Sequence, residues 1–132
     1  MFLYSQDAIV FGFRGEVNLY LDISNGKMII SSRKSNDDDD VWYNDYIFSE
    51  EDTRKVLALL ETENEEKTGE KLKAEFCPED NTPETSYDDT NIMGRFVSAF
   101  LSYFRDNGIH YTDEEYIRFY DTGEEQRTTY RF

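Results

Sequence analysis

The most restrictive feature of this sequence is a run of alternating residues that ends in a hairpin signal. Every second residue of "VNLYLDI", at 17–23, is aliphatic, which is the pattern of a strand with one buried face. The "NG" that follows is the strongest short-range signal for a two-residue hairpin, and "MIISS" at 28–32 supplies another strand. Residues 7–13 also read as a strand, with a turn predicted at Arg14-Gly15. The N-terminal third therefore predicts an antiparallel meander.

The middle of the chain predicts one more strand and then a helix. Residues 41–48, rich in aromatic and β-branched side chains, predict the fourth strand. Ser49 followed by three acids is typical of an N-cap with negative charge at the helix dipole, so a helix is predicted from about 50 to 62. Residues 70–77 alternate apolar and charged side chains and predict a strand, with a helix as the alternative. The polar stretch 78–90 contains prolines and predicts a loop.

The C-terminal third predicts a long helix and then a hairpin. Six apolar residues between 92 and 104 recur at helical spacing, and Asn107-Gly108 is a typical stop, so a helix is predicted over 91–106. The last eighteen residues, "EYIRFYDTGEEQRTTYRF", read as a strand, a turn at 121–123 and a final strand, although Thr112 to Glu115 also fits a capping box. The expected fold is a single acidic α+β domain over residues 1–132. Its antiparallel sheet, an N-terminal meander plus a C-terminal hairpin, packs against one or two helices.

The cellular location is predicted from the N-terminus and the cysteine count. "MFLYSQDAIVFGF" carries no basic leader, and Gln6 and Asp7 interrupt its apolar residues, so neither a signal peptide nor a membrane span is expected. Cys77 is the single cysteine and cannot close an intramolecular disulfide, which fits a reducing compartment. A cytoplasmic protein is predicted.

Net charge indicates the class of partner. The chain has 14 basic and 29 acidic residues and a formal net charge of −15, well outside the magnitude of about 2 to 8 that is usual for a small domain. Nucleic acids and anionic membranes are polyanions that bind basic patches, so neither is expected as a direct ligand. The expected partner is a basic protein, and no oligomeric state is predicted.

The acidic residues are concentrated in three blocks. Residues 1–34 hold three acids and four bases, so the surplus of −16 lies in the remaining 98 residues. Residues 35–52 contain eight acids and no base, residues 61–90 eleven acids against three lysines, and residues 106–125 seven acids against one arginine. A general adaptation for solubility would spread acids over every element, including the first strands. Each block alone is typical of a solvated surface, but the three together favour a binding function.

No catalytic or metal-binding motif is present. An EF-hand loop requires glycine at its sixth position, where loops that start at Asp37 or Asp38 would have Trp42 or Tyr43. The only histidine, His110, follows a predicted helix end, and Cys77 precedes a proline, so both are interpreted as structural. No glycine-rich phosphate loop occurs. The sequence therefore predicts a protein that is not an enzyme and holds no metal or cofactor.

Aromatic side chains stand among the acids and complete a candidate interface. Carboxylates can steer a basic partner, while adjacent aromatic rings can stack on arginine and provide the desolvated anchors. By strand alternation Trp42 shares an inward face with Tyr46 and Phe48 and is expected in the core, with an anchor in the interface as the alternative, whereas Tyr43 and Asp45 face outward. The candidate partner-binding residues are Asp37, Asp38, Asp39, Asp40, Tyr43, Asp45, Glu50, Glu51, Asp52, Asp113, Glu114, Glu115, Tyr116 and Tyr120.

In composition and charge the chain resembles small acidic inhibitors such as phage anti-restriction and anti-CRISPR proteins. That resemblance implies a nucleic-acid mimic that binds the basic nucleic-acid-binding surface of a nuclease or similar effector and so helps a phage to evade antiviral defence. An immunity protein that neutralises a basic toxin nuclease is the alternative with the same physics. From another class, a calcium-dependent module or a carboxylate-based hydrolase remains open.

Overall fold

The computed structural model describes residues 1–78 and 92–132. It contains six strands and three helices within these ranges. The strands are β1 (Phe2–Val10), β2 (Phe13–Ser24), β3 (Lys27–Asn36), β4 (Val41–Phe48), β5 (Thr112–Arg118) and β6 (Glu125–Arg131). The helices are α1 (Glu50–Leu60), α2 (Glu65–Phe76) and α3 (Ile92–Asp106).

All six strands form one antiparallel sheet in the order β1-β2-β3-β4-β5-β6. The meander β1–β4 and the C-terminal hairpin β5–β6 join because β4 pairs with β5 from Val41–Arg118 to Ile47–Thr112. The predicted α+β class, with an antiparallel sheet built of these two parts, is confirmed. Three helices pack against the sheet rather than one or two.

The helices cover one face of the sheet and enclose the core. Burial alternates along β2 and β3, so that the inward side chains, such as Leu19 and Ile30, are fully buried while their neighbours are not. Helix α3 contributes Phe96, Phe100 and Phe104, each with no exposed surface. The opposite face of the sheet carries no helix of the described residues, and we call it the open face.

The first hairpin turn lies at a different position from the predicted one. The turn is at Phe11 and Gly12, whose φ angles of 51° and 84° are both left-handed, as a type I′ turn requires. Gly15, predicted in a turn, instead lies within β2 opposite Asn36. A Cβ atom at position 15 would lie 2.0 Å from the carbonyl oxygen of Ser35, so glycine is required here for the close approach of two strands.

The predicted strand at 70–77 is wrong, and this stretch belongs to helix α2. Asn64 caps the helix by accepting a hydrogen bond from the amide of Lys67 at 2.9 Å. The inward residues Thr68, Gly69 and Leu72 follow a helical spacing. The apparent alternation was misleading because, of its apolar members, only Leu72 is fully buried. The helix alternative was therefore correct.

The other predicted elements are present with different boundaries, and the first strand, predicted at 7–13, spans Phe2–Val10. The second turn, at Asn25 and Gly26, has φ angles of 55° and 75° and is confirmed as a hairpin turn. Helix α1 ends at Leu60, two residues earlier than predicted. Thr112 to Glu115 lies in β5 and forms no capping box. The predicted loop at 78–90 lies outside the described residues except for Pro78. In the described part of the chain, no helix is long and apolar enough to span a membrane.

Candidate functional site

Three turns meet at one end of the sheet. In an antiparallel meander the turns after β1, β3 and β5 share one end, and here they comprise residues 11–12, 37–40 and 119–124. We call this the hairpin end. The amide of Asp37 donates to the carbonyl oxygen of Arg14 at 2.7 Å, which joins the second of these turns to β2.

A buried polar network holds the three turns together. The side-chain amide of Asn36 donates to the carbonyl oxygen of Val10 at 2.8 Å and to the Asp40 carboxylate at 3.1 Å. Its Oδ1 atom accepts from the amides of Asp38 and Asp40. The other oxygen of Asp40 accepts from the amide of Tyr120 at 3.0 Å. Asn36 and Asp40 are 8% and 4% exposed, so both hold the fold together and neither faces solvent.

The remaining acids of these turns face outward and form a compact surface. Desolvation, then a hydrogen bond with Asp121 and the charge of that carboxylate, raise the pKa of Asp38, so the two turns bring their acids into contact. No ion pair within the described residues neutralises them. We call this surface the acidic end, and its residues are Asp37, Asp38, Asp39, Asp121 and Glu124.

Aromatic rings lie beside the acidic end. Phe11 stacks on Trp42 with ring centroids 5.5 Å apart and also packs against Phe119 at 4.9 Å. Trp42 lies on the helix-covered face, as predicted, but it is half-buried and outside the core. Its indole N–H donates to Glu115 at 2.9 Å. Tyr120 is 63% exposed and follows directly on this cluster, so it is the ring most available to a partner.

Four of the predicted residues lie on the open face instead. Tyr43 faces Tyr116 at a centroid distance of 6.1 Å, and an arginine lies over each ring, Arg33 at 4.7 Å and Arg127 at 4.4 Å. The strand register places the two tyrosines and the two arginines in one row across β3 to β6. The next row holds the other two predicted residues, Asp45 and Glu114, which are paired across β4 and β5.

The open face is not acidic. Arg33 forms a 2.8 Å salt bridge with Asp45, so the negative charge of that predicted residue is balanced by an adjacent positive charge. Strand alternation and register assign six acids and six bases to this face. The acids are Asp7, Glu16, Asp22, Asp45, Glu114 and Glu125, and the bases are Arg14, Lys27, Arg33, Arg118, Arg127 and Arg131. A cavity of about 400 Å³ between Tyr43 and Arg127 is therefore lined by both signs of charge.

The last predicted residues are dispersed. Asp113 and Glu115 lie on the helix-covered side of β5, where Asn44 donates to Asp113 at 2.9 Å. Burial raises the pKa of Asp113, and the hydrogen bond from Asn44 acts in the opposite direction. Glu50, Glu51 and Asp52 occupy the first turn of α1 at the other end of β4, about 23 Å from the hairpin end at 3.3 Å per residue. The first acidic block is thus divided between opposite ends of the sheet.

Sequence reasoning missed Asp121 and Glu124 as members of the acidic end. The sequence contained a signal for their position, because both residues lie in or next to the predicted turn between the last two strands. Placing that hairpin next to β4 would have brought the turn to the same end as Asp37–Asp39. In the ranges 1–78 and 92–132, no group of three or more His, Cys, Asp or Glu side chains is arranged to hold a metal ion. No protein-family model, curated protein or solved structure matches this chain significantly.

Proposed function

We propose that this protein is a non-enzymatic inhibitor of the anti-CRISPR or anti-restriction type. It acts in the cytoplasm by occupying the basic nucleic-acid-binding surface of a nuclease or similar effector as an acidic mimic, without a cofactor. The observation that carries the proposal is the acidic end, where two adjacent turns gather five carboxylates beside the exposed ring of Tyr120. The open face, by contrast, is balanced in charge and would not attract a basic partner.

The charge density of the acidic end supports mimicry. B-DNA carries one negative charge per about 1.7 Å of axis, so five carboxylates equal the charge on roughly 8.5 Å of duplex. Strands lie about 4.8 Å apart, which places the turns of two neighbouring hairpins roughly 10 Å apart. The acidic end therefore approaches the charge density of a nucleic acid over a short distance. A protein groove that binds phosphates would meet a comparable field here.

The exposed aromatic ring can supply binding free energy that exposed carboxylates alone do not. Exposed ion pairs contribute about 0 to 1 kcal/mol each, because solvent screens them. An arginine that leaves water to stack on a ring can contribute about 2 kcal/mol. Tyr120 is exposed and adjoins the acids, so it offers such a stacking surface to an arginine of the partner.

The proposal predicts different kinetic effects for acids and for the ring. The protein is used to capture its partner from a bacterial lysate at about 50 mM salt, where electrostatic binding is strong, and the partner is identified by mass spectrometry and purified. Replacing Asp37, Asp38 and Asp39 with Asn should slow association and flatten its salt dependence, because steering acts on encounter. Tyr120→Ala should mainly raise the dissociation rate. Both are measured by surface kinetics at several salt concentrations.

A matched variant controls for net charge. Replacing Glu50, Glu51 and Glu66 with Gln removes the same number of charges far from the acidic end, because α1 and α2 both begin at the opposite end of the sheet. This variant should associate almost like the parent protein. Equal slowing by both triple variants, or failure of duplex and single-stranded nucleic acid to compete for the partner, would rule out mimicry by the acidic end.

A further inference from the structure

Within the described residues, strand β6 is an exposed edge of the sheet. It pairs with β5 over seven consecutive residues without a register shift and contains neither proline nor glycine. All of its residues are exposed except Thr128, which is half-buried. Natural edges are usually blunted by bulges, prolines or charged side chains. Here the guanidinium of Arg127 folds back over the ring of Tyr116, whereas the other edge, β1, carries a bulge between Phe2 and Tyr4.

The backbone groups that face away from β5 can be assigned. Tyr111 and Phe132 exchange both backbone hydrogen bonds, at 3.4 and 3.0 Å, and the amide of Phe119 donates to the carbonyl oxygen of Glu124 at 2.9 Å. Hydrogen-bonded and non-hydrogen-bonded pairs alternate along an antiparallel ladder, so the even-numbered residues of β6 bond to β5. The N–H and C=O groups directed outward are those of Glu125, Arg127, Thr129 and Arg131.

We propose that β6 pairs with β6 of a second copy of this chain, antiparallel and about a two-fold axis at Thr128. This register places Glu125 opposite Arg131 and Arg127 opposite Thr129. All four residues direct their backbone groups outward, so every outward N–H and C=O of both strands gains a partner. A continuous sheet of twelve strands results from the two sheets of six.

The side chains favour this register over the registers in which the two-fold axis lies at Arg127 or at Thr129. Glu125 and Arg131 lie on the open face, take part in none of the ion pairs of the described residues, and would form two pairs of opposite charge across the axis. Thr128 meets its own copy, a cross-strand pair that stabilises sheets. Shifting the axis to Arg127 places that residue opposite itself, and shifting it to Thr129 places Arg127 opposite Arg131. Both shifts bring like charges together.

Dimerisation and binding to a basic partner should depend on salt concentration in opposite directions. Each copy carries a net charge of −15, so long-range repulsion opposes dimerisation at low salt. The Debye length falls from about 30 Å at 0.01 M to about 8 Å at 0.15 M. Dimerisation should therefore strengthen as salt rises, whereas binding to a basic surface weakens. The dimer does not depend on the proposed function, because β6 supplies its contacts, even though β6 begins at Glu125, directly after Glu124 of the acidic end.

Sedimentation equilibrium of the full chain at about 0.1 mM protein tests the proposal at low salt and at about 0.3 M salt, where charges are well screened. The expected result is a monomer at low salt and a growing dimer population at high salt. Hydrogen exchange provides a residue-level readout. The outward amides of Arg127 and Thr129 should become protected as the dimer forms, whereas those of Gln126 and Tyr130, already bonded to β5, should change little.

A charge swap tests the register, because the two single variants change the net charge in opposite directions and the double variant leaves it unchanged. Glu125→Arg and Arg131→Glu, each alone, should weaken the dimer at least tenfold because they place like charges opposite each other. The double variant should restore it. Thr129→Pro removes an outward N–H and leaves the β5 ladder intact, so it should also weaken the dimer. Thermal unfolding verifies that each variant folds. A monomer at every salt concentration, or a dimer that all of these variants leave unchanged, would overturn the proposal.

Discussion

The four consecutive aspartates that dominate the sequence have two different roles. Asp37 and Asp39 are exposed and Asp38 is half-buried beside Asp121 at the surface, whereas Asp40 is 4% exposed and joins the second and third turns of the hairpin end. A buried acceptor that loses its hydrogen bonds is costly, while an exposed charge on a turn is nearly neutral for stability. Four consecutive aspartates therefore have two roles: Asp40 stabilises the fold, and the other three give the surface its negative charge.

Substitution by Asn distinguishes these roles. Asp40→Asn and Asp39→Asn remove the same charge, but only the first exchanges an acceptor oxygen for a donor that faces the amide of Tyr120 or of Asn36. We expect Asp40→Asn to lower the free energy of unfolding by about 1 to 3 kcal/mol. Asp39→Asn should change it by less than about 0.5 kcal/mol, since Asn tolerates the φ of 62° found at Asp39. Urea unfolding of both variants measures the difference, and equal stabilities would contradict the assignment of Asp40.

At the scale of elements, α3 closes the core through one face. Phe96, Phe100 and Phe104 project from it and pack edge to face or at a tilt with centroids 5.3 and 5.9 Å apart. Such aromatic contacts add about 0.5 to 1.5 kcal/mol to the burial of each ring. The periodicity that revealed this helix in the sequence is the same feature that anchors it on the sheet.

Truncation of Phe100, the central ring of the three, should therefore lower the stability of the fold strongly. Phe100→Ala leaves a cavity between α3 and the sheet and is expected to cost about 3 to 5 kcal/mol. Ser98→Ala, on the exposed side of the same helix, should change stability by less than about 0.5 kcal/mol. Denaturant unfolding monitored by circular dichroism compares the two. A small loss for Phe100→Ala would show that α3 is not essential to the core.

At the scale of the whole molecule, excess negative charge opposes folding because it is confined to a smaller volume in the folded state. The pKa values of two carboxyl groups are raised in the folded state. Desolvation and neighbouring carboxylates raise the pKa of Asp38, and burial raises that of Asp113. A raised pKa means that the folded state holds more protons than the unfolded state between the ordinary value of 3.8 and the raised one. Stability must then fall as pH rises through that interval.

Mild acid should consequently stabilise the protein. Lowering the pH from about 7 to about 5 is expected to raise the melting temperature at low salt, because protonation begins to relieve the repulsion. The same change should have less effect at about 0.3 M salt, where ions already screen it. Differential scanning calorimetry at dilute protein measures both. A melting temperature that falls on acidification at low salt would mean that the carboxylates are stabilised by internal partners.

Local patterns predicted much of this fold, and distant contacts account for what they missed. Alternation separated Tyr43 and Asp45 from the inward residues of β4, and the register confirms it. The burial of Asp40 could not be predicted, because it depends on the amide of Tyr120, eighty positions further along the chain. The neutralisation of Asp45 depends in the same way on its pairing with Arg33 in the adjacent strand.

The order of the strands along the chain also determines when the acidic end is completed during synthesis and folding. β1, β2 and β3 each pair with the next strand along the chain through turns of two to four residues, whereas β4 ends at Phe48 and its partner β5 begins only at Thr112. Contacts between distant segments cost more chain entropy and form later in folding. A chain emerging from the ribosome can therefore build its meander early, yet it presents only three of the five carboxylates of the acidic end until the last hairpin has been synthesised and has docked.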